Sequence, residues 1–207
     1  MDARIGGPDD VDAVATTIAL AFRDDPVWGP ALAAPDGGTD HLQAFWRFFA
    51  LGAIPHGSVW LVDGPAGEAA TVAVWIPPGT DELTDQQAED VDALMERTLT
   101  PDRFEAYQRL WTLFEDSHPH DTPHMYLSLL ATHPDHRGRG IGQRLLADTL
   151  ARFDAEGVPA YLESTNPAND HRYERAGFRP VGGFRAVLDG APVTTMWRDV
   201  PARKRSS

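Results

Sequence analysis

The sequence contains no cysteine, and this absence removes disulfide bonds, thiolate metal sites and a cysteine nucleophile from consideration. It also has no hydrophobic run long enough to span a membrane, and Met1 is followed by Asp2 rather than by a basic and then apolar leader. We therefore expect a soluble, cytoplasmic protein. Any group transfer that it performs must be direct or must pass through a group other than a thiol.

Basic residues are also scarce, with 18 Lys and Arg against 31 Asp and Glu, which gives a net charge of −13. Such a chain is poorly suited to nonspecific binding of nucleic acid and is compatible with a cationic ligand. No linker or break in composition divides it, so residues 1–207 predict one domain with a core from about 3 to 199. The basic end, 200–207, is expected to be flexible. The sequence does not distinguish a monomer from a homodimer.

Residues 129–142, LLATHPDHRGRGIG, predict a strand, a glycine loop and the start of a helix. Glycine allows backbone angles and close approaches that other residues do not. The N–H groups of a helix's first turn lack internal partners and lie at the positive end of the helix dipole. Arg137 and Arg139 would add positive charge. This pattern predicts a pyrophosphate-binding site.

Two common loop types do not fit this segment. A phosphate loop of the nucleotide hydrolases ends in Gly-Lys-Ser/Thr, whereas Gln143 and Arg144 follow Gly142. A dinucleotide fingerprint has the order G-x-G-x-x-G, but Gly138, Gly140 and Gly142 alternate with other residues. What remains is Arg-x-x-Gly-x-Gly after a strand. This pattern resembles the acyl-CoA loop of the GNAT superfamily of N-acyltransferases.

A second block, PAYLESTNPANDHRYERAGF at residues 159–178, strengthens the resemblance. It is similar to the superfamily's strand, its Asn, a seven-residue step to Tyr, and then Glu-x-x-Gly-Phe. The layout of the chain particularly resembles the actinobacterial group of puromycin N-acetyltransferase-like enzymes. The segments 72–75 and 162–164 contribute to that finer resemblance.

The resemblance implies a mixed α/β (α+β) fold with a central, mostly antiparallel sheet flanked by helices. It implies that the strands at 125–132 and 160–164 splay apart to admit acetyl-CoA as acyl donor, without a metal. Thr132 and Asn169 depart from the commonest pattern, but only their side chains differ, so cofactor binding should survive. The residues expected to bind the donor are Leu130, Ala131, Thr132, Arg137, Gly138, Arg139, Gly140, Ile141, Gly142, Asn166 and Asn169.

Acetyl transfer to an amine needs a neutral nitrogen, stabilisation of a developing oxyanion, and a proton for the departing thiolate. By its place in the motif, Tyr173 is the expected proton donor. Glu163 ends an apolar strand and is either the general base or an anchor for the substrate ammonium. Backbone N–H groups near Leu130 and Thr132 would polarise the thioester carbonyl.

The acceptor site is less sharply defined. By resemblance, Asp24, Asp25 and Trp28 border it, although a helix end with solvated carboxylates and a buried Trp explains them equally well. His124 either lines the acceptor pocket, shuttles a proton, or lies at the surface. With His118 and His120 it forms a Pro-containing loop that does not supply the fixed geometry of a zinc site, so we expect no metal.

These observations predict an acetyl-CoA-dependent N-acetyltransferase that acts on the primary amine of a small molecule by direct transfer in a ternary complex. The idea that this amine belongs to an antibiotic or aminonucleoside comes from the resemblance alone. Two alternatives stay open: a protein or peptide N-acetyltransferase, and a non-catalytic acyl-CoA-binding module.

Overall fold

The computed structural model describes residues 2–202, so the predicted flexible basic segment 203–207 lies outside the described residues. Within them, seven strands form one sheet in the order β1-β2-β3-β4-β5-β7-β6. The β4–β5 pair is parallel and the others are antiparallel. The predicted mixed, mostly antiparallel sheet is confirmed. The strands are β1 (Arg4–Ile5), β2 (Val59–Asp63), β3 (Ala69–Ile76), β4 (Met125–Thr132), β5 (Ala160–Ser164), β6 (Arg179–Arg185) and β7 (Pro192–Arg198).

Helices cover both faces of this sheet. One face carries α1, α3, α4 and α5, and the other carries α6. The helices are α1 (Val11–Phe22), α2 (Trp28–Ala31), α3 (Asp40–Ala53), α4 (Asp85–Thr98), α5 (Pro101–Ser117), α6 (Ile141–Glu156) and α7 (Asp170–Arg175). Among residues 2–202, no helix combines the length and apolar character needed to cross a membrane.

Strand β3 separates the two layers of the core. Its side chains alternate, so Val72 and Val74 pack with the α1 and α3 layer while Ala73 and Trp75 pack against α6. Every residue of β3 is buried, and its sequence is apolar except for Thr71, whose hydroxyl is satisfied by the Ala131 carbonyl.

Proline and glycine set several helix boundaries. Pro101 occupies the first turn of α5, where its missing N–H leaves no bond unmade, and this explains the break between α4 and α5. Gly157 closes α6 with φ +76°, a left-handed conformation that favours glycine. The sequence pattern predicts two closing strands, at about Phe184 to Leu188 and Val193 to Trp197. Strand β7 (Pro192–Arg198) matches the second, whereas β6 (Arg179–Arg185) begins and ends earlier than the first.

The sheet opens between β4 and β5. These strands pair only at Met125 with Ala160 and at Tyr126 with Tyr161, and then diverge. Strand β5 remains attached to β7 on its other side, and β4 remains attached to β3. The β3–β4 register skips Ser128, so a β-bulge lies where the strands part. The predicted splay is confirmed, and it creates a wedge in the centre of the molecule.

Candidate active site

A cleft of about 590 Å³ occupies this wedge. The glycine loop and the start of α6 form one end, and the free edge of β4 and the end of β5 form its middle. The other end is enclosed by aromatic and acidic side chains from α1, α3, α5 and the connection that follows β3. The cleft therefore has chemically distinct ends.

The glycine end is a backbone cradle. Gly138 and Gly140 have φ values of +77° and +70°, in the left-handed region. The Arg144 N–H donates to the Gly140 carbonyl at 3.1 Å, so the preceding N–H groups of the first turn of α6 lack intrahelical acceptors. A Cβ atom on Gly142 would lie 2.8 Å from Thr132 Oγ1. This open backbone at the positive end of a 16-residue helix fits a phosphate group.

Side chains behind the cradle fix the loop. His136 is 5 % exposed, and its Nε2 lies 2.5 Å from Glu68 Oε1. The Arg139 guanidinium donates to the Asp135 carbonyl at 3.1 Å and lies 3.3 Å from His136 Nδ1. Arg139 is therefore turned into the loop rather than towards the cleft, whereas Arg137 lines the cleft. His136 is an anchor of the loop as well as a wall of the cleft.

The free edge of β4 presents the predicted backbone donors. The His133 N–H donates to the Ala70 carbonyl on the β3 side at 3.0 Å. Because successive backbone N–H groups of a strand point to opposite edges, those of Leu130 and Thr132 point towards the cleft. The Ala131 side chain is buried in the core, and its carbonyl accepts from Thr71 Oγ1 at 2.8 Å. Leu130 and Thr132 also line the cleft.

The second motif lies on the opposite wall. Asn166, Asn169 and Tyr173 all line the cleft. Asn166 Oδ1 accepts from the Ala168 N–H at 3.1 Å, and Asn169 Oδ1 accepts from Arg172 at 3.1 Å. Both amides are therefore oriented by the turn that precedes α7.

Tyr173 is partly buried beside two carboxyl groups. Burial, together with the charges of Asp25 and Asp170, raises the pKa of the Tyr173 hydroxyl to about 12. The hydroxyl therefore keeps its proton at neutral pH and can donate it. Helix α7 is fixed by Asp170, which accepts from Ser164 Oγ at 2.6 Å and from Thr194 Oγ1 at 3.1 Å.

Glu163 lies at the end of β5, and its side chain is only 2 % exposed. Among the described residues, its Oε1 has no hydrogen-bond partner. The nearest group able to carry positive charge at this atom is His118, whose Nδ1 is 3.7 Å away. A buried carboxylate oxygen without a partner is unfavourable for folding, which points to a functional reason for keeping it.

Glu82 also lines the cleft, although no sequence pattern predicted it. Its Oε1 accepts a hydrogen bond from Ser128 Oγ at the β-bulge. Burial raises the pKa of Glu82 to about 7; the Ser128 bond opposes that effect and the charge of Glu163 adds to it. The carbonyl of Glu82 packs against Gly52 of α3, where a Cβ would collide with it. No local pattern marks Glu82, since its environment comes from β4, β5 and α3.

The three predicted acceptor residues of the α1–α2 connection have different roles. Asp25 Oδ1 accepts from the N–H groups of Val27 and Trp28 at 2.9 and 3.1 Å, and its Oδ2 accepts from Thr165 Oγ1 at 2.8 Å. Asp25 thus ties α2 to the segment after β5, and burial raises its pKa. Asp24 is exposed at the rim of the cleft, and Trp28 is 6 % exposed within its wall.

Aromatic rings form the wall of the acidic end. Trp28 stacks on Phe114 with ring centroids 5.4 Å apart, and Trp111 stacks on Phe49 at 5.7 Å. The aromatic residues of α3 and α5 therefore belong both to the core and to the cleft. The rings that line the cleft are Phe22, Trp28, Trp46, Phe49, Trp111, Phe114, Tyr126 and Tyr173.

The predicted acceptor residue His124 is 7 % exposed and does not line the cleft. It lies behind Glu163, where its Nε2 is 3.2 Å from Nε2 of His118. It is therefore neither a pocket residue nor a surface residue. Within residues 2–202, no group of three or more His, Asp or Glu side chains is arranged to hold a metal ion.

The family comparison agrees with the position of the cleft. Residues 103–178 match the model of the acetyltransferase (GNAT) family. That segment contains β4, the glycine cradle, β5 and Tyr173, so it supplies the glycine end of the cleft and the two strands that flank its middle.

Solved structures share the whole fold. An acetyltransferase from Corynebacterium glutamicum, described as histone acetyltransferase HPA2 and related acetyltransferase, is 24 % identical, with a TM-score of 0.70 over 99 % of this chain and 98 % of that one. Arylalkylamine N-acetyltransferase 2 from Aedes aegypti is 12 % identical, with a TM-score of 0.68 over 97 % and 99 %. The Drosophila melanogaster polyamine N-acetyltransferase, which forms N-acetylagmatine, is 16 % identical, with a TM-score of 0.63 over 96 % and 99 %.

At these identities the solved structures establish the fold alone, and the resemblance to puromycin N-acetyltransferases stays a prediction. The family match is independent of them and lies on the segment that builds the cleft. Taken together, residues 103–178 carry the sequence pattern of the acetyltransferase (GNAT) family model, on a fold shared with solved acetyltransferases.

Proposed function

We propose that this protein transfers an acetyl group from acetyl-CoA directly to the primary amine of a small molecule, and that residues 3–199 form one catalytic domain. The observation that carries the proposal is the two-ended cleft between β4 and β5. One end is a phosphate cradle, the other is an acidic aromatic pocket, and the free strand edge with its backbone donors connects them.

The donor end fits acetyl-CoA, which when bound would supply a thioester. The cradle at Gly138, Gly140 and Gly142 would hold the pyrophosphate at the N-terminus of α6, where the first-turn N–H groups lack intrahelical acceptors. Gly142 lets this turn pack closely on β4, since a Cβ there would lie 2.8 Å from Thr132 Oγ1. The β4 edge would hydrogen-bond the pantetheine arm, and Asn166 on the opposite wall would add an amide contact. The N–H groups of Leu130 and Thr132 would stabilise the oxyanion that develops during transfer.

The acceptor end fits an amine carried on an apolar or aromatic body. Aromatic faces attract both apolar surface and cations, and Trp and Phe rings dominate this wall. Glu82 and Glu163 provide negative charge within the pocket, and Asp24 provides it at the rim. An ammonium group can therefore enter along a path of increasing burial.

Three side chains have separate roles in the reaction: one accepts a proton, one binds the ammonium and one donates a proton. Glu163 has a buried oxygen without a partner and takes a proton from the ammonium, which leaves a neutral nucleophilic nitrogen. Glu82 binds the ammonium on approach and is held by Ser128. Tyr173 stays protonated and gives a proton to the departing thiolate.

Release of thiol from acetyl-CoA, followed with a colorimetric thiol reagent, tests this proposal. Because the protein contains no cysteine, it adds no thiol of its own. The amine panel should contain arylalkylamines, agmatine and polyamines, puromycin, aminoglycosides, and peptides with free N-termini or lysines. For each efficient amine, the matching alcohol is the control that preserves shape and removes the nucleophilic nitrogen.

Saturable release with one small amine class, and none with its alcohol, is the expected result. Puromycin or an aminoglycoside as the best acceptor would support the antibiotic role. Faster release with peptides than with every small amine would instead favour protein or peptide acetylation. A rise in melting temperature with acetyl-CoA and no release with any amine would indicate an acyl-CoA-binding module.

A further inference from the structure

Two histidines that are outside the cleft stand behind Glu163. The His118 Nδ1 atom lies 3.7 Å from Glu163 Oε1, and His118 Nε2 lies 3.2 Å from Nε2 of His124. His124 Nδ1 is 2.7 Å from the carbonyl oxygen of Thr122. The buried carboxylate, two imidazoles and a backbone carbonyl therefore follow one another, with hydrogen-bond distances at each step except the 3.7 Å between Glu163 and His118.

This arrangement fixes the position of each imidazole proton. A carbonyl oxygen can only accept, so His124 carries its proton on Nδ1. Burial lowers the pKa of His124, which keeps this ring neutral and makes its Nε2 an acceptor. His118 must then donate from Nε2, which leaves its Nδ1 unprotonated at 3.7 Å from Glu163 Oε1.

The environment of His118 suits a proton carrier. Its ring is held edge-on by Tyr126 at 4.9 Å and by Tyr161 at 5.1 Å between centroids. The Tyr161 hydroxyl donates to the Ser117 carbonyl at 3.0 Å, so it does not compete for the His118 nitrogens. The His118 side chain is 25 % exposed, whereas that of Glu163 is 2 % exposed. His118 thus connects a buried base to solvent.

We propose that His118 receives the proton that Glu163 takes from the amine and delivers it to solvent behind the cleft. This inference rests on the proposed acetyltransferase function. When the donor and the acceptor both fill the cleft, water cannot easily reach Glu163 from the front. A rear exit through His118 resets the base without release of either substrate.

The proton count requires such an exit. An ammonium carries three N–H bonds and the amide product carries one, so two protons leave the nitrogen while the N–C bond forms and the C–S bond breaks. One of these protons replaces the proton that Tyr173 gives to the thiolate. The other passes from Glu163 to His118 Nδ1 and then to water, and the net reaction releases one proton.

Several titratable groups face His118. They come from β5, β4, the β3–α4 connection and the loop that follows α5. These groups are Glu163, Tyr161, Tyr126, Glu82, His120 and His124.

Replacement of His118 tests the relay. In His118→Ala, kcat should fall on the order of 10-fold or more while the KM values of both substrates change little, because the general base remains. Added imidazole should restore much of the lost kcat by occupying the gap between the two Tyr rings. His118→Gln should lose kcat similarly, with an altered pH profile and no rescue, since Gln fills the site but does not carry a proton.

The matched control is His120→Gln, which changes a histidine of the same loop whose side chain is 63 % exposed and pairs with Glu115. Its kcat should equal that of the wild type. In the unmodified protein, ¹⁵N NMR of the imidazole nitrogens should show the proton of His118 on Nε2.

The relay is overturned by a His118→Gln variant with wild-type kcat and pH profile. Loss of kcat without imidazole rescue in a folded His118→Ala variant, or a proton on Nδ1 of His118 in the NMR spectrum, also overturns it. These outcomes leave acetyl transfer by the wild type intact, so they are distinct from failure of the proposed function. If the wild type acetylates no amine, both the proposed function and the His118 relay are contradicted.

Discussion

Glu82→Gln offers a direct test of the buried acidic pocket because it preserves the shape of the side chain and removes its charge. The Gln side chain can still accept the hydrogen bond from Ser128 Oγ. The pKa of Glu82 is raised from 4.5 to about 7, chiefly by burial. At about 1.4 kcal/mol per pH unit, that difference of about 2.5 pH units corresponds to about 3.5 kcal/mol of unfolding free energy.

Protonation of Glu82 favours the folded state, because its pKa is higher in the folded protein than in the unfolded chain. The folded protein holds the Glu82 proton more tightly than the unfolded chain, so this contribution to stability is fully present below pH 4.5. It is lost as the pH rises through about 7, where the folded protein must keep a buried charge. Glu82→Gln is free of this loss. The free energy of unfolding of the variant, relative to that of the wild type, should therefore increase by about 2 to 3 kcal/mol as the pH rises from 5 to 8.

Urea unfolding of both proteins at pH 5, 6, 7 and 8 measures this gain, because the other titrating groups largely cancel in the difference. Glu89→Gln is the matched control, since it makes the same chemical change at an exposed position of the neighbouring helix α4. Its stability difference is measured at the same four pH values. A Glu82→Gln difference that changes with pH no more than that of Glu89→Gln would show that Glu82 is not held in a desolvated pocket.

Two further predictions concern the donor half of the cleft. Tyr173→Phe should lower kcat by roughly 10² to 10⁴ with acetyl-CoA affinity little changed, and near-normal kcat would remove Tyr173 from the mechanism. Gly140→Val should abolish acetyl-CoA binding measured by calorimetry, whereas Gly157→Val at the other end of α6 should bind normally. Both glycines have similar positive φ values and no neighbours within 4 Å of a built Cβ, so the backbone strain, about 1 to 2 kcal/mol, is matched. Equal binding by the two variants would contradict the phosphate cradle.

The local shape of the proposed donor half follows from the sequence because that half is built from contiguous segments. The strand, the glycine loop and the first turn of α6 follow one another without interruption, so their residues define a local backbone shape. The Asn and Tyr of the second motif lie on one short turn and helix after β5. Local geometry therefore brings Asn166, Asn169 and Tyr173 to one wall of the cleft.

The acceptor half depends on contacts between distant segments. Asp25 bonds to Thr165, which lies 140 residues away, and Glu82 bonds to Ser128 across 46 residues. The pairing of His118 with Glu163 brings the end of α5 against β5. Such contacts leave no periodic signal in a single sequence, because each partner is unremarkable in its own segment.

The tertiary structure also decided between interpretations that the sequence left open. Asp25 is a tether whose oxygens already accept three hydrogen bonds, and Arg139 turns back to bond the loop instead of facing the cleft. His124, expected in the pocket or at the surface, is buried behind the base. Each residue type permitted several roles, and neighbours from other elements selected one.

The sequence by itself thus indicated the local shape of the glycine loop and of the helix that follows it, because glycine angles and helix dipoles are properties of neighbouring residues. The splayed, mostly antiparallel sheet and the proposed role of Tyr173 followed from the family resemblance. Only the tertiary structure decided which carboxylates are buried, which rings form the acceptor wall and how a proton can leave Glu163. Those properties follow from desolvation and from contacts between side chains, and both arise only when distant parts of the chain pack together.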